Sequence, residues 1–344
     1  MTQTMQELTL VAPGQVAFRE RAAPRISGPA QALVRPLAVA RCDIDLLLAQ
    51  GKIPAADPFA LGHECAGEVI AVGEGVTRVR PGDRVLVPFQ ISCGACSRCT
   101  RGQTGNCTAV PKLASYGMAL FSGTEFGGAL SDLLLVPYAD AMLVALPDEV
   151  DPVVAAALGD NAVDGFRTVH AALEQSPGAS VLVAGGGAPS VALYAVAAAR
   201  ALGASSVVYV DPSPERGAIA EKLGARVVRA KCEPALRIGR FPITVDGTSR
   251  EEGLRFCLAS TDNDGICTSV GIYLGDVPLP LLDMYSRGVH FVTGRVHARG
   301  VLPTALALAA RGAFDLASIA TTVVPWERAP EAWLEPATKL VVRR

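Results

Sequence analysis

The chain has 344 residues, half of them hydrophobic and 19% charged, with a formal net charge of −2. That length exceeds what one hydrophobic core organises and implies two domains. The apolar content excludes a disordered chain, and the lack of a basic surplus argues against binding to a nucleic-acid backbone.

The opening residues, MTQTMQELTL, show no basic start followed by an apolar run, so no secretory leader is expected and the cytoplasm is the expected location. Residues 8–11, 32–39, 67–72 and 84–87 are short, β-branched-rich runs punctuated by Gly and Pro, which predict strands. Turn sequences at 73–75 and 81–83 join two of them. A compact, antiparallel, barrel-like domain over residues 1–150 follows from this pattern.

From Asp151 the texture changes. Strand-like runs at 181–184, 206–210, 226–229, 243–246, 265–270 and 290–293 alternate with helical patterns such as 189–202 and 214–223. The fold class is therefore α/β, with a doubly wound parallel sheet over residues 151–294. Residues 295–344 mix short helices with a strand-like run at 339–342 and are expected to return to the first domain. Residues 181–199 carry no charge and approach the length of a bilayer span, but a Gly185-Gly186-Gly187-Ala188-Pro189 break near the start predicts a buried strand, a tight turn and a buried helix instead. No membrane association is expected.

Three groups of residues carry chemistry. The first is Cys42, followed by His63 and Glu64, a thiol, an imidazole and a carboxylate of the kind that zinc prefers. Alone, the trio fits a buried structural cysteine and an ordinary loop histidine equally well. The second is Cys93, Cys96, Cys99 and Cys107, spaced C-x2-C-x2-C-x7-C, with Gly94 and Gly102 to let the chain curl. Among nine cysteines with no leader, metal ligation outranks a disulfide framework, and this spacing suits a closed four-thiolate structural zinc site. Iron–sulfur ligation is the rival, but a ferredoxin run continues C-x3-C-P, whereas the fourth cysteine here follows seven residues and precedes Thr108.

The third group follows the strand at 181–184. Gly185 and Gly187 fill the first two places of the Gly-x-Gly-x-x-Gly dinucleotide fingerprint, and Ser190 takes the third with only a small added side chain. The next strand ends at Asp211, 26 residues after Gly185, where a carboxylate accepts hydrogen bonds from ribose hydroxyls and repels a 2′-phosphate. NAD is thus expected over NADP, with Arg216 placed to soften the preference.

Taken together, Cys42 with Asp45, the GHE of 62–64 with Gly67, PGDRV at 81–85, the four-cysteine lobe, the nucleotide fold and GDNAVDGF at 159–166 resemble the zinc-dependent medium-chain dehydrogenase/reductase superfamily, the alcohol and polyol dehydrogenases. The resemblance spans essentially the whole chain. It implies a GroES-like catalytic domain, a Rossmann domain, and two zinc ions, one catalytic and one structural. Cys42 and His63 match catalytic zinc ligands, Asp160 stands where relatives place a third, and Glu64 matches a carboxylate beside the metal. Asp45 matches an acid that orients the zinc-binding imidazole. Phe89 matches a position that lines the substrate pocket.

The resemblance also exposes departures. Relatives usually carry Ser or Thr two residues after the first ligand and often His three further on, as a proton relay. Ile44 and Leu47 stand there and can neither donate nor accept a proton. Asp43 replaces the usual Gly, His or Arg. The resemblance implies hydride transfer between NAD(P) and a secondary alcohol, polyol or ketone; the departures keep open a relay-less reductase of an activated C=C bond or imine, and a non-catalytic zinc-stabilised nucleotide-binding protein. His170, His290 and His297 read as surface or structural residues. The expected partners are a small-molecule substrate and further copies of the chain, as a dimer or tetramer, with the strand at 290–293 free to pair across a twofold axis.

Overall fold

The computed structural model describes residues 3–54 and 58–344, which form two compact units. Met1 and Thr2, in the segment read for a leader, lie outside the described residues. The first unit takes residues up to Asn161 together with 297–310 and 320–344; the second takes 162–296 and 311–319.

The first unit holds a seven-stranded sheet in the order Thr322–Pro325, Leu340–Arg343, Ala32–Ala40, Glu64–Val72, Arg84–Val87, Val144–Ala145, with Leu134–Val136 also paired to Ala32–Ala40. All pairs are antiparallel except the first, which is parallel. Pro36 sits inside a central strand, where a missing N–H would break the ladder; the register shifts between Pro36 and Ala38, so a bulge accommodates it. A smaller sheet orders Gln15–Ala22, Thr4–Ala12 and Phe59–Ala60. Leu8, Val34, Val69, Val85 and Leu134 point into one shared core with Trp333 and Val342 from the returning C-terminal segment. The strand-like runs predicted at 8–11, 32–39, 67–72, 84–87 and 339–342 all fall on these strands.

The second unit is a six-stranded, all-parallel sheet in the order Arg226–Val228, Val207–Val210, Val181–Ala184, Phe241–Asp246, Thr261–Ser269, His290–Thr293. Crossover helices include Pro189–Ala201, Pro214–Lys222 and Glu251–Ser260. The order reverses direction beside Val181–Ala184, the topological switch point where doubly wound sheets bind ligands. The uncharged run at 181–199 is a buried strand, a turn and a buried helix with Pro at its first position, and no helix of the described residues is long and apolar enough to cross a membrane.

Three stretches divide differently from the sequence reading, the smallest being residues 295–296, which go with the second unit. Residues 151–161 stay with the first unit because the helix Pro152–Ala155 and the turn Ala156–Gly159 pack on the strands Ala32–Ala40 and Glu64–Val72. Residues 311–319 stay with the second because Phe314 packs against Phe166 and Tyr194, with ring centroids 5.8 and 6.4 Å apart.

Candidate metal and nucleotide sites

Each ligand candidate of the first cluster owes its position to a local feature of the first unit. Cys42 precedes the helix Asp43–Ala49, and Asp45, third in that helix, reaches back to accept the Cys42 N–H at 3.0 Å, one half of a capping box. His63 and Glu64 open the strand Glu64–Val72. Asp160 arrives on a tight approach: a Cβ on Gly159 would lie 3.0 Å from the Glu64 Cα and 3.1 Å from the Cys65 N, so only glycine lets this turn lie on the strand.

The outcome is a buried set. One ligand atom from each of Cys42, His63, Glu64 and Asp160 lies within 4.8 Å of the other three. The His63 Nε2 is 3.3 Å from the Asp160 Oδ2, and its Nδ1 faces the Asp45 Oδ1 at 3.6 Å, beyond hydrogen-bond reach. Both of the latter atoms are buried without a hydrogen-bond partner. Such a concentration of buried anionic and soft donors calls for a cation. Burial pushes His63 down, yet Asp45, Asp160 and Glu64 outweigh it and hold the imidazole at about 9. Burial, reinforced by the same acids, lifts the Cys42 thiol well above its usual value.

A metal must displace both protons, since it takes thiolate and neutral imidazole. Both groups titrate above neutral pH in the metal-free protein, so zinc affinity at this cluster should rise with pH, by roughly ten- to a hundredfold per unit between about pH 6 and 8. Competition with a chromophoric chelator across that range measures it. A flat profile would contradict the ligand assignment.

Two residues of this cluster escaped the sequence reading. Lys339 is fully buried and donates to the Glu64 Oε1 and to the Arg41 carbonyl, both at 2.9 Å, with its Nζ also 2.7 Å from the Glu64 Oε2. Burial alone would lower its pKa; Glu64, and behind it Asp43, raise it instead. Lys339 therefore pairs with the Glu64 carboxylate as a cation. Asn161 accepts from the Cys42 thiol at 3.1 Å. It stands inside the GDNAVDGF stretch and so was visible, whereas Lys339 offered only the signal of one lysine opening an apolar strand. Phe89 lies beside His63, with ring centroids 5.8 Å apart.

The four lobe cysteines are also brought together, their Sγ atoms all within 4.8 Å. All four are free thiols, and the Cys96 and Cys107 Sγ atoms are 3.9 Å apart, too far for the roughly 2.05 Å of a disulfide. Gly94 and Gly102 both take positive φ, as the curled chain requires. Backbone N–H groups of Cys93, Ala95 and Cys96 donate to lobe sulfurs at 3.3 to 3.4 Å, and N–H donors at Cys99 and Thr108 pull Cys96 down to about 5. Such donors favour a thiolate at Cys96, while burial raises Cys99 to about 12 and lifts Cys107 above its usual value. His297 anchors the lobe: its Nδ1 accepts the Gly105 N–H at 3.2 Å, which supports the structural reading.

In the second unit, the glycine turn fits a dinucleotide. A Cβ on Gly185 would run into the Asp211 carboxylate and the Tyr209 hydroxyl, and one on Gly187 would sit 2.8 Å from the Thr248 carbonyl, so the turn has room for a backbone approach only. Ser190 is fully buried in the helix that follows. Asp211 is not the open acceptor that the sequence predicts. It is fully buried, and Arg216 grips both of its oxygens, at 2.7 and 2.8 Å. His170 stacks on Phe166 with centroids 4.7 Å apart, and His290 lies on the last strand of the sheet.

Comparison with known proteins gives the family. A family model described as the alcohol dehydrogenase GroES-like domain matches residues 28–148, and one described as zinc-binding dehydrogenase matches residues 190–311. Geraniol dehydrogenase of Castellaniella defragrans is 32% identical over 289 residues, covering 77% of this chain and 76% of that protein. Zinc-type alcohol dehydrogenase B of Aspergillus flavus is 27% identical over 343 residues, covering 96% and 78%. Among solved structures, the alcohol dehydrogenase TADH from a Thermus species matches with a TM-score of 0.90 at 30% identity, covering 98% of this chain and 99% of that one. The chain belongs to the zinc-dependent medium-chain dehydrogenase/reductase family. Its two units are the GroES-like and Rossmann domains of that family.

Proposed function

We propose that the protein is a zinc-dependent oxidoreductase that transfers hydride between a nicotinamide dinucleotide and a secondary alcohol or polyol, or the corresponding ketone. The observation that carries this reading is the ion pair between Lys339 and Glu64, which turns four clustered donors into three ligands and a vacancy for substrate. Cys42, His63 and Asp160 would hold a zinc ion, which supplies Lewis acidity toward an alcohol or carbonyl oxygen. Asp45 faces the buried His63 imidazole at 3.6 Å, and its charge favours the ring orientation that turns Nδ1 toward it. Phe89 presents an apolar ring beside His63, which would help to keep water from a bound substrate. The glycine turn seats the pyrophosphate against the N-terminus of the helix Pro189–Ala201. Cys93, Cys96, Cys99 and Cys107 would hold a second, structural zinc. Metal analysis should return two zinc ions per chain, and NAD+ or NADP+ with a panel of secondary alcohols should generate reduced-nicotinamide absorbance.

Ile44 favours a second reading. It is half-buried and packs against the core where relatives place a relay hydroxyl, so no side chain at that position moves a proton. A reductase of an activated C=C bond or imine needs no such relay from an alcohol. Turnover of enones with NAD(P)H, alongside silence on every alcohol, would select it.

The homo-oligomer expectation gains support from the second unit. Leu281, Leu282 and Tyr285 on the helix Leu281–Arg287 are 65%, 82% and 86% exposed, and Val292 on the edge strand is 43% exposed. An unpaired apolar edge of this kind invites a second copy across a twofold axis. The double variant Leu282→Glu/Tyr285→Glu should shift the mass in solution, read by light scattering, to that of the monomer. An unchanged mass would place the interface elsewhere.

A further inference from the structure

The nucleotide site carries an unusual arrangement around Asp211. A carboxylate offers about four lone-pair sites, and here all are taken. The Oδ1 accepts from the Ser213 N–H at 2.8 Å and from the Arg216 Nη2 at 2.7 Å; the Oδ2 accepts from the Tyr209 hydroxyl and the Arg216 Nε, both at 2.8 Å. The acid side chain is wholly buried, while that of Arg216 remains 25% exposed. Two of the five guanidinium N–H donors are spent on Asp211 and the guanidinium also meets the Tyr209 hydroxyl, so only part of the fork is left to a ligand. The group that meets solvent at this position is therefore the cation, not the anion.

Selection of NAD over NADP requires an acid that is both charged toward the ligand and free to accept two ribose hydroxyls. This acid is neither. We infer that Arg216 makes the adenosine-ribose site tolerant of a 2′-phosphate, so that the protein binds NAD and NADP with similar affinity. A ribose diol must displace the guanidinium from part of Asp211, whereas a 2′-phosphate meets an Arg fork whose geometry suits it, beside an acid whose charge is already compensated. Tyr209 is a positioning residue in the same device: its hydroxyl holds the Oδ2 against Gly185 and keeps the carboxylate turned inward.

This inference rests on the dinucleotide reading above, and calorimetry on the zinc-loaded, full-length protein separates the two. Dissociation constants for NAD+ and NADP+ should agree within about tenfold, and adenosine 2′,5′-bisphosphate should bind at least as tightly as adenosine 5′-monophosphate. Arg216→Ala exposes the acid and should weaken NADP+ by roughly thirtyfold or more while leaving NAD+ within a few-fold. Arg216→Lys, which keeps the charge and is the safer variant for folding, should weaken NADP+ by less than Arg216→Ala does. Tight NAD+ binding with NADP+ weaker by more than about a hundredfold in the unmodified protein overturns the inference alone. Equal loss of both dinucleotides in Arg216→Lys also overturns it. Absence of binding by either dinucleotide overturns the reading beneath it.

Discussion

Replacing Cys42 with Ser should lower turnover by about a thousandfold and reduce the zinc content from two ions per chain to one. A hydroxyl at this position is a much poorer zinc ligand than a thiolate, and the loss of a Lewis acid removes several kcal/mol of transition-state stabilisation, each ~1.4 kcal/mol being tenfold in rate. The fold should survive, because the helix Asp43–Ala49 retains the backbone bond to Asp45 and the side-chain volume barely changes. Far-ultraviolet circular dichroism and zinc analysis on the same sample check both halves. Retained activity with one zinc lost would mean that the four-cysteine lobe, not the Cys42 cluster, had released it. The matching loss of one zinc in Cys96→Ser, with activity lowered only through stability, is the control.

The second large effect falls on Lys339. Its ammonium and the Glu64 carboxylate are both fully buried, so Lys339→Met would strip a buried acid of its cation. Breaking such a pair from one side costs ~3–5 kcal/mol, whereas removing both charges together is often neutral. Denaturant unfolding of the metal-free protein should accordingly show a loss of ~3–5 kcal/mol for Lys339→Met, largely recovered in Glu64→Gln/Lys339→Met. A loss under ~1 kcal/mol in the single variant would show that the pair is not desolvated as described. Turnover adds a second readout: with Glu64 released from its lysine, the carboxylate is free to compete for the vacant ligand position, so kcat should fall in Lys339→Met and partly return in the double variant.

Much of the architecture was legible because it is written in local pattern. The β-branched runs that become Ala32–Ala40 and Val181–Ala184 have the right length and punctuation for strands, and the alternation after Asp151 carries the doubly wound topology. The lobe cysteines are legible for the same reason, since all four donors lie in one short stretch of chain. Asp160 is different. It stands 97 residues from His63, and no local rule joins them; only the resemblance pointed to it. Lys339 was missed because its meaning exists only after folding, when the last strand of the large sheet lies beside Ala32–Ala40. The tie between Asp211 and Arg216 shows the reverse limit. Both residues were singled out, but a spacing of five along a strand–helix turn does not say whether two side chains face a ligand or each other.

The placement of Lys339 has a consequence for synthesis. Glu64 and its cation are separated by 275 residues. A nascent chain therefore presents Cys42, His63, Glu64 and Asp160 to the cell's metals long before the lysine emerges to restrain Glu64. The pairing of Lys339 with Glu64 is thus completed only when Leu340–Arg343 closes on Ala32–Ala40, so the last strand of the sheet also finishes the surroundings of the metal cluster.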